Sequence, residues 1–415
     1  MIYKLVFKNT FLLWLFTIVA CGNCKKRIAD EKTDKPPIKE INKLLNAETK
    51  NRSILTGADN FSIYLPLLKD KKVGIVTNQT GILSSKVHLV DFLTENKINL
   101  QKIYAPEHGF RGTADAGELI KDGKDAKTGL PIISLYGSNK KPKPEQLTNI
   151  DIMIFDLQDV GARFYTYISS LHYVMEACAE NNIFLLVLDR PNPNGNIVDG
   201  PVLETEFKSF VGMHPIPVLH GMTIGEYARM INGERWLKNG IECRLKIIPC
   251  KNYKREMFYD LPINPSPNLP NYQAINLYAS LCLFEGTNVS VGRGTNKQFQ
   301  IYGSPYLIGN NFTFTPLPNL GAKDPVWNGK LCYGEDLTKI EKIKQLEIKW
   351  LIKAYKENNQ TMNPFFNDFF TKLAGTKKLQ QQIEAGISEA EIRKSWEKDL
   401  LVFKKIRGKY LNIEY

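Results

Sequence analysis

The chain has 415 residues, 43% of them hydrophobic and 24% charged, with a formal net charge of +12. That length suits about two domains with ample core, and the composition excludes a disordered, collagenous or multi-span membrane protein. The basic excess favours anionic polymers or membrane surfaces as neighbours, but no arginine-rich helix or aromatic–basic stripe points to nucleic acid, and lysines spread over a solvated surface account for most of the charge.

Lys4 and Lys8 precede or interrupt an apolar stretch over residues 11–20. It is too short for an ordinary spanning helix and reads as a signal peptide, residues 1–20. Cys21 follows Ile18-Val19-Ala20 at the cleavage point, so the segment resembles a bacterial lipoprotein signal with Cys21 lipidated. The expectation is an exported, periplasmic lipoprotein, held to the membrane through a lipid anchor. An ordinary secretory signal with an incidental cysteine is the plainer alternative. Residues 21–51 are polar, carry Pro36-Pro37 and read as a flexible tether.

Residues 72–77 read as a buried strand ending in Asn78-Gln79-Thr80-Gly81. Ser84 or Ser85 could cap the next helix, with Val87, Leu89, Val90, Phe92 and Leu93 as its apolar positions. A strand over 100–106 runs into Glu107-His108-Gly109-Phe110-Arg111. Residues 112–129 are rich in Gly, Asp and Lys and read as a long loop. A short strand at 132–136 precedes the strand at 151–155, which runs into Asp156-Leu157-Gln158-Asp159 and then Arg163-Phe164-Tyr165-Thr166-Tyr167. Leu171, Val174, Met175 and Cys178 recur at helical spacing, and a strand over 183–188 ends in Asp189-Arg190-Pro191-Asn192. Thr223 and Glu226 form a capping box ahead of a helix through 227–236, and Leu245–Ile248 is a further strand. Strands alternating with helices predict a doubly wound parallel α/β sheet. The proline-dense segment 262–270 marks a domain boundary, dividing residues 52–268 from residues 269–415.

The carboxyl ends of parallel strands meet along one edge, where ligands bind. Repeated delivery of acids, a histidine and arginines there looks like an active site. Glu107 and His108 are the sharpest pair, because a carboxylic acid against an apolar wall can act as a general acid. Its plainer role is an ion pair with Arg111. Asp156 or Asp159 could be a second catalytic carboxylate, with Gln158 between them, or could pair with Arg163. Arg163, Tyr165 and Tyr167 combine a cation with rings on which a sugar can stack, and an arginine would grip a sugar acid by its carboxylate. Asp189 and Arg190 form a third polar corner. Glu285, Asn288 and Arg293 could close the cleft from the second domain, and glycine-rich turn packing is an equal alternative.

Other chemistries find less support. No zinc-type His or Cys spacing, nucleophile elbow or phosphate loop appears, so neither metal nor cofactor is expected. The seven cysteines make no framework; buried thiols are the expectation, with a Cys243–Cys250 disulfide left open.

Taken in order, Gly74-Ile75-Val76-Thr77-Asn78-Gln79-Thr80-Gly81, Pro106-Glu107-His108-Gly109-Phe110-Arg111-Gly112, Asp156-Leu157-Gln158-Asp159-Val160-Gly161-Ala162-Arg163, Asp189-Arg190-Pro191-Asn192-Pro193, Glu285-Gly286-Thr287-Asn288 and Gly292-Arg293-Gly294-Thr295 resemble the bacterial exo-β-N-acetylmuramidases of the NamZ type. The resemblance implies a Rossmann-like catalytic domain followed by a smaller α+β domain, with the site in the cleft between them. It implies a glycosidase that removes β-linked N-acetylmuramic acid from the non-reducing end of peptidoglycan fragments in cell-wall recycling. It would make muramoyl saccharides the partners and give the arginines a ligand in the lactyl carboxylate. The site expected on these grounds has Glu107 as acid/base, with His108, Asp156 and Asp159 as further catalytic candidates. Asn78, Gln79, Arg111, Gln158, Arg163, Tyr165, Tyr167, Asp189, Arg190, Glu285, Asn288 and Arg293 would bind substrate. A non-catalytic wall-sugar-binding lipoprotein and a metal-dependent hydrolase on the same polymer are the alternatives.

Overall fold

The computed structural model describes residues 53–107, 109–110, 122–358 and 364–415. The signal peptide, the tether with Cys21, His108 and Arg111 lie outside the described residues. Residues 53–415 fold as one compact unit.

Among the described residues, seven strands form the main sheet: β1 (Val73–Thr77), β2 (Leu100–Ala105), β3 (Gly123–Lys124), β4 (Pro131–Ser134), β5 (Ile152–Asp156), β6 (Phe184–Leu188) and β7 (Leu245–Ile248), in the order β3-β4-β2-β1-β5-β6-β7. All neighbours are parallel except β3 on β4. The chain winds outward from β1 through β2 to β4, returns to β5 on the other side of β1, and winds outward again. The switch point of a Rossmann-type sheet therefore lies between β1 and β5, and a crevice opens at their carboxyl ends.

The strands are apolar almost without interruption because both faces are covered. Met153 and Phe155 pack into one core, while Ile152 and Ile154 pack into the other, the period-two alternation of a strand. Helices α1 (Phe61–Leu68) and α2 (Leu89–Glu95) cover the second face. Helices α3 (Tyr167–Glu180) and α4 (Ile224–Gly233) cover the first, with Leu171, Val174, Met175 and Cys178 buried as their spacing predicts.

That first core continues into the C-terminal part, through α5 (Tyr272–Leu281) to Phe403. A smaller antiparallel sheet of β8 (Ile301–Ser304), β9 (Phe312–Phe314) and β10 (Cys332–Asp336) lies there, with β10 in the middle. Four helices complete it: α6 (Lys349–Glu357), α7 (Phe370–Ala374), α8 (Lys378–Glu384) and α9 (Glu389–Gly408). The architecture is thus an α/β sheet followed by a smaller mixed part.

Three local expectations need correction. Neither Ser84 nor Ser85 caps α2; both lie in a turn whose Lys86 has φ +65°. The cap is His88, whose Nδ1 accepts from Val90 N at 3.2 Å. The 112–129 loop is also interrupted, since Gly123–Lys124 pairs with β4. The Thr223–Glu226 box does open α4, but the helix stops at Gly233, and Arg235 turns back with φ +54°. Cys243 and Cys250 are separate buried thiols.

Candidate active site

The segments that follow β2, β4 and β5 converge on a cavity of about 740 Å³ at the sheet's carboxyl edge, a size typical of small-ligand sites. Residues before 270 contribute Glu107, Tyr136, Tyr165, Thr166 and Tyr167 to its lining. Tyr278, Glu285, Arg293, Phe299 and Lys323 come from the C-terminal part.

Glu107 lies two residues beyond the end of β2 and is half-buried. Tyr136 OH donates to its Oε1 at 3.1 Å, and Thr166 Oγ1 donates to its Oε2 at 3.0 Å. Its backbone is held as well. Asn78 Nδ2 donates to Tyr167 OH at 2.6 Å, and that hydroxyl reaches the Glu107 carbonyl at 3.4 Å. Asn78 is itself fixed by Thr80, whose N and Oγ1 donate to Asn78 Oδ1 at 2.9 and 2.6 Å. Burial, reinforced by the nearby Glu107 charge, holds the Tyr167 phenol well above its ordinary pKa, so it stays a neutral hydroxyl.

Aromatic rings line the rest. Tyr165 meets Tyr167 and Tyr278 edge-on at 4.8 and 5.9 Å, and Tyr278 meets Phe299 at 4.9 Å. The Tyr165 hydroxyl donates to the Pro265 carbonyl at 2.8 Å, which ties α3's approach to the proline-rich segment. On the C-terminal side Arg293 Nε donates to Glu285 Oε1 at 2.6 Å, and its guanidinium lies 5.0 Å from the Phe299 ring centre. Burial pulls the Arg293 pKa down, but Glu285 outweighs it and holds the group above its usual range.

Of the expected site residues, the structure brings Glu107, Tyr165, Tyr167, Glu285 and Arg293 to the cavity. It places the other described ones elsewhere, while His108 and Arg111 lie outside the described residues. Asp156 is fully buried and locked to Arg190, Nε to Oδ1 at 2.6 Å and Nη2 to Oδ2 at 3.0 Å, so both charges are spent on each other. Asp159 is buried, accepts from Gly161 N at 2.8 Å and lies 3.5 Å from His220 Nε2. Gln158 Nε2 is used on the Asp159 and Pro191 carbonyls.

Arg163 is the largest departure. It is wholly buried, with no carboxylate partner, and donates to four backbone carbonyls, those of Pro201, Ile216, Leu373 and Ala374, at 2.7–2.9 Å. Burial lowers its pKa to about 9, so it remains charged at neutral pH. It joins the main sheet's loops to α7 rather than facing a ligand. Asp189 receives Gly225 N, Thr223 Oγ1 and Tyr415 OH at 2.7–2.8 Å and so holds the start of α4. Burial, with Glu226 nearby, raises its pKa to about 6 despite those donors. Gln79 bonds the Asn264 and Pro265 carbonyls, and Asn288 bonds Asn358 and Pro364. Among the described residues no group of three or more His, Cys, Asp or Glu could hold a metal ion.

Sequence reading overlooked Tyr136, Thr166, Tyr278, Phe299 and Lys323. Tyr136 had a usable signal, because it ends the strand expected at 132–136 and the strand-end argument applies to it equally. Tyr278 and Phe299 had none, since aromatics on apolar stretches read as core.

A hydroxyl-held carboxyl group in a cavity also lined by aromatic rings and an arginine suits a carbohydrate-active enzyme. Residues 73–273 match the N-terminal domain of exo-beta-N-acetylmuramidase NamZ, and residues 276–412 match its C-terminal domain. The chain is 42% identical over 391 residues to the peptidoglycan beta-N-acetylmuramidase NamZ of Bacillus subtilis strain 168, covering 88% of this chain and 93% of that protein. Two DUF1343-family crystal structures from Bacteroides fragilis NCTC 9343 share the fold. One has a TM-score of 0.81 at 47% identity, covering 87% of this chain and 99% of the other. The second has a TM-score of 0.74 at 29% identity, covering 86% and 98%. The chain belongs to the NamZ exo-β-N-acetylmuramidase family.

Proposed function

We propose that the protein is an exo-acting glycoside hydrolase that releases terminal, non-reducing β-linked N-acetylmuramic acid from peptidoglycan fragments. The observation that carries this is the Glu107 carboxyl group, gripped at both oxygens by Tyr136 and Thr166 at the edge of the cavity. Protonated Glu107 gives its proton to the glycosidic oxygen as the bond to the anomeric carbon breaks, and is reprotonated by the water whose oxygen bonds to that carbon to give the free sugar. The two hydroxyls fix the rotamer, so the proton is delivered along one direction. The aromatic lining receives the apolar face of the sugar ring. Help from Asp156 or Asp159 has no geometric support, because neither lines the cavity.

In this reading residues 52–268 form the catalytic domain with Glu107, and residues 269–415 form the α+β domain that closes the cleft with Arg293. Residues 1–20 act as a signal peptide, and lipid on Cys21, followed by the tether 21–51, anchors the protein in the periplasm. The support is the short apolar stretch ending at a cysteine and the location of the polymer outside the cytoplasm. Labelling cells with an alkynyl fatty acid tests the anchor: the parent incorporates it and Cys21→Ala does not, and equal labelling of both refutes it. The activity is tested by release of free N-acetylmuramic acid from a β-linked muramoyl glycoside.

A further inference from the structure

Muramic acid differs from the commoner amino sugar of the same polymer by one feature, a lactyl ether ending in a carboxylate. An enzyme that selects it needs a cation inside its cavity, and the sequence offers several arginines near strand ends. The structure removes two of them, and Arg111 lies outside the described residues. Arg163 spends its terminal nitrogens on backbone carbonyls and Arg190 is paired with Asp156, and neither lines the cavity. Among the described lining residues the cations are Arg293 and Lys323. Lys323 already has another interaction within the protein.

Arg293 is built differently. Its Nε is taken by Glu285, and its flat face lies against Phe299. That leaves the terminal edge, with Nη1 and Nη2, making no hydrogen bond to another described residue. A guanidinium pinned at Nε and stacked on a ring has lost most of its rotamer freedom, so a two-point contact with a carboxylate costs little further ordering. The backbone is fixed to match. Gly292 and Gly294 flank the arginine with φ of +77° and +78°. A Cβ on Gly294 would lie 2.6 Å from Pro325 Cγ and 2.7 Å from the Leu317 carbonyl, so that turn tolerates no side chain.

Resting on the muramidase reading above, we propose that Arg293, clamped by Glu285 and Phe299, is the receptor for the lactyl carboxylate and sets the preference for muramic acid over sugars lacking that acid. A substrate without the carboxylate leaves the recessed guanidinium without its anionic partner, which is how a polar site rejects an analogue strongly.

The test uses the full chain on three β-glycosides with one fluorogenic leaving group: N-acetylmuramic acid, its lactyl methyl ester, and N-acetylglucosamine. The parent should prefer the acid over the ester by about 100-fold or more in kcat/KM. In Arg293→Met that ratio should fall to within about threefold of unity, chiefly through KM for the acid, while cleavage of the ester is retained. Ester cleavage shows that the variant is folded. Lys323→Met should leave the ratio unchanged. A preserved ratio in Arg293→Met, or a ratio lost only in Lys323→Met, overturns the assignment. If the parent cleaves none of the three, the muramidase reading fails. Calorimetric titration with free N-acetylmuramic acid and free N-acetylglucosamine then decides for Arg293: binding that favours the acid in the parent but not in Arg293→Met supports the assignment, and equal or absent binding in the parent overturns it.

Discussion

Replacing Arg163 with methionine distinguishes a structural arginine from a substrate-binding one. The side chain donates to four backbone carbonyls, two of them on residues 373 and 374, far along the chain. Hydrogen bonds from a charged donor contribute about 1.5–3 kcal/mol each. Against that stands the cost of keeping a guanidinium out of water with no carboxylate beside it, several kcal/mol. Methionine removes that cost together with the bonds but leaves four carbonyls without donors, so the net loss is about 4 kcal/mol. At roughly 2 cal/mol/K of unfolding entropy per residue, a unit of this size moves by about 1.3 °C per kcal/mol, which gives a fall in Tm of about 5 °C. Thermal unfolding followed by circular dichroism measures it, with KM on a muramoyl glycoside measured below the transition. The structure requires a lower Tm with near-parental KM. An unchanged Tm with a raised KM would refute the reasoning and return Arg163 to the substrate.

Asp156→Asn breaks the buried pair with Arg190 and should cost about 3–5 kcal/mol of stability, read from the denaturant midpoint; a fully stable but inactive variant would restore Asp156 as a catalytic carboxylate. His172 and His214 share a 2.9 Å contact in the core, and burial lowers both pKa values, that of His172 to about 4. The folded state therefore binds fewer protons than the unfolded chain below pH 6.5. Stability is full above that pH, falls as pH drops towards about 4, and is lost more gently in His172→Gln; a Tm independent of pH between 7 and 4.5 would contradict this. Gly294→Ala forces a side chain into Pro325 at a positive φ and should lower stability by about 1–3 kcal/mol while raising KM for the acid substrate, tested by calorimetry and kinetics. Tyr136→Phe removes a hydroxyl donor to the Glu107 carboxylate and should lower kcat about tenfold with KM little changed; parental kcat would remove Tyr136 from the site.

The sheet was legible because strands buried on both faces leave continuous apolar runs, and β1, β2, β5 and β6 each end within two residues of where those runs end. Leu245–Ile248 was read without error. The strand-end argument also led to Glu107, which lies two residues beyond β2, next to the switch-point strand, and lines the cavity. It failed for Asp156, Arg163 and Arg190, which sit at the same edge, because sequence shows where charges occur but not which pair with one another below the cavity floor. Arg163 was the hardest case, as its acceptors at Leu373 and Ala374 are more than two hundred residues away and are backbone carbonyls that any residue supplies. Ser84 and Ser85 misled for a local reason: both suit a cap, but the turn at Lys86 defers the helix until His88.

The central claim is that Glu107 protonates the leaving group of a muramoyl glycoside. Release of free N-acetylmuramic acid from a β-linked muramoyl substrate, compared between the parent and Glu107→Gln, tests it most directly. Glutamine keeps the side chain's shape and can still bond Tyr136 and Thr166, but it has no proton to give. The account predicts release by the parent and a loss of about 100-fold or more in a variant with the parental Tm. Equal release by both proteins would contradict it.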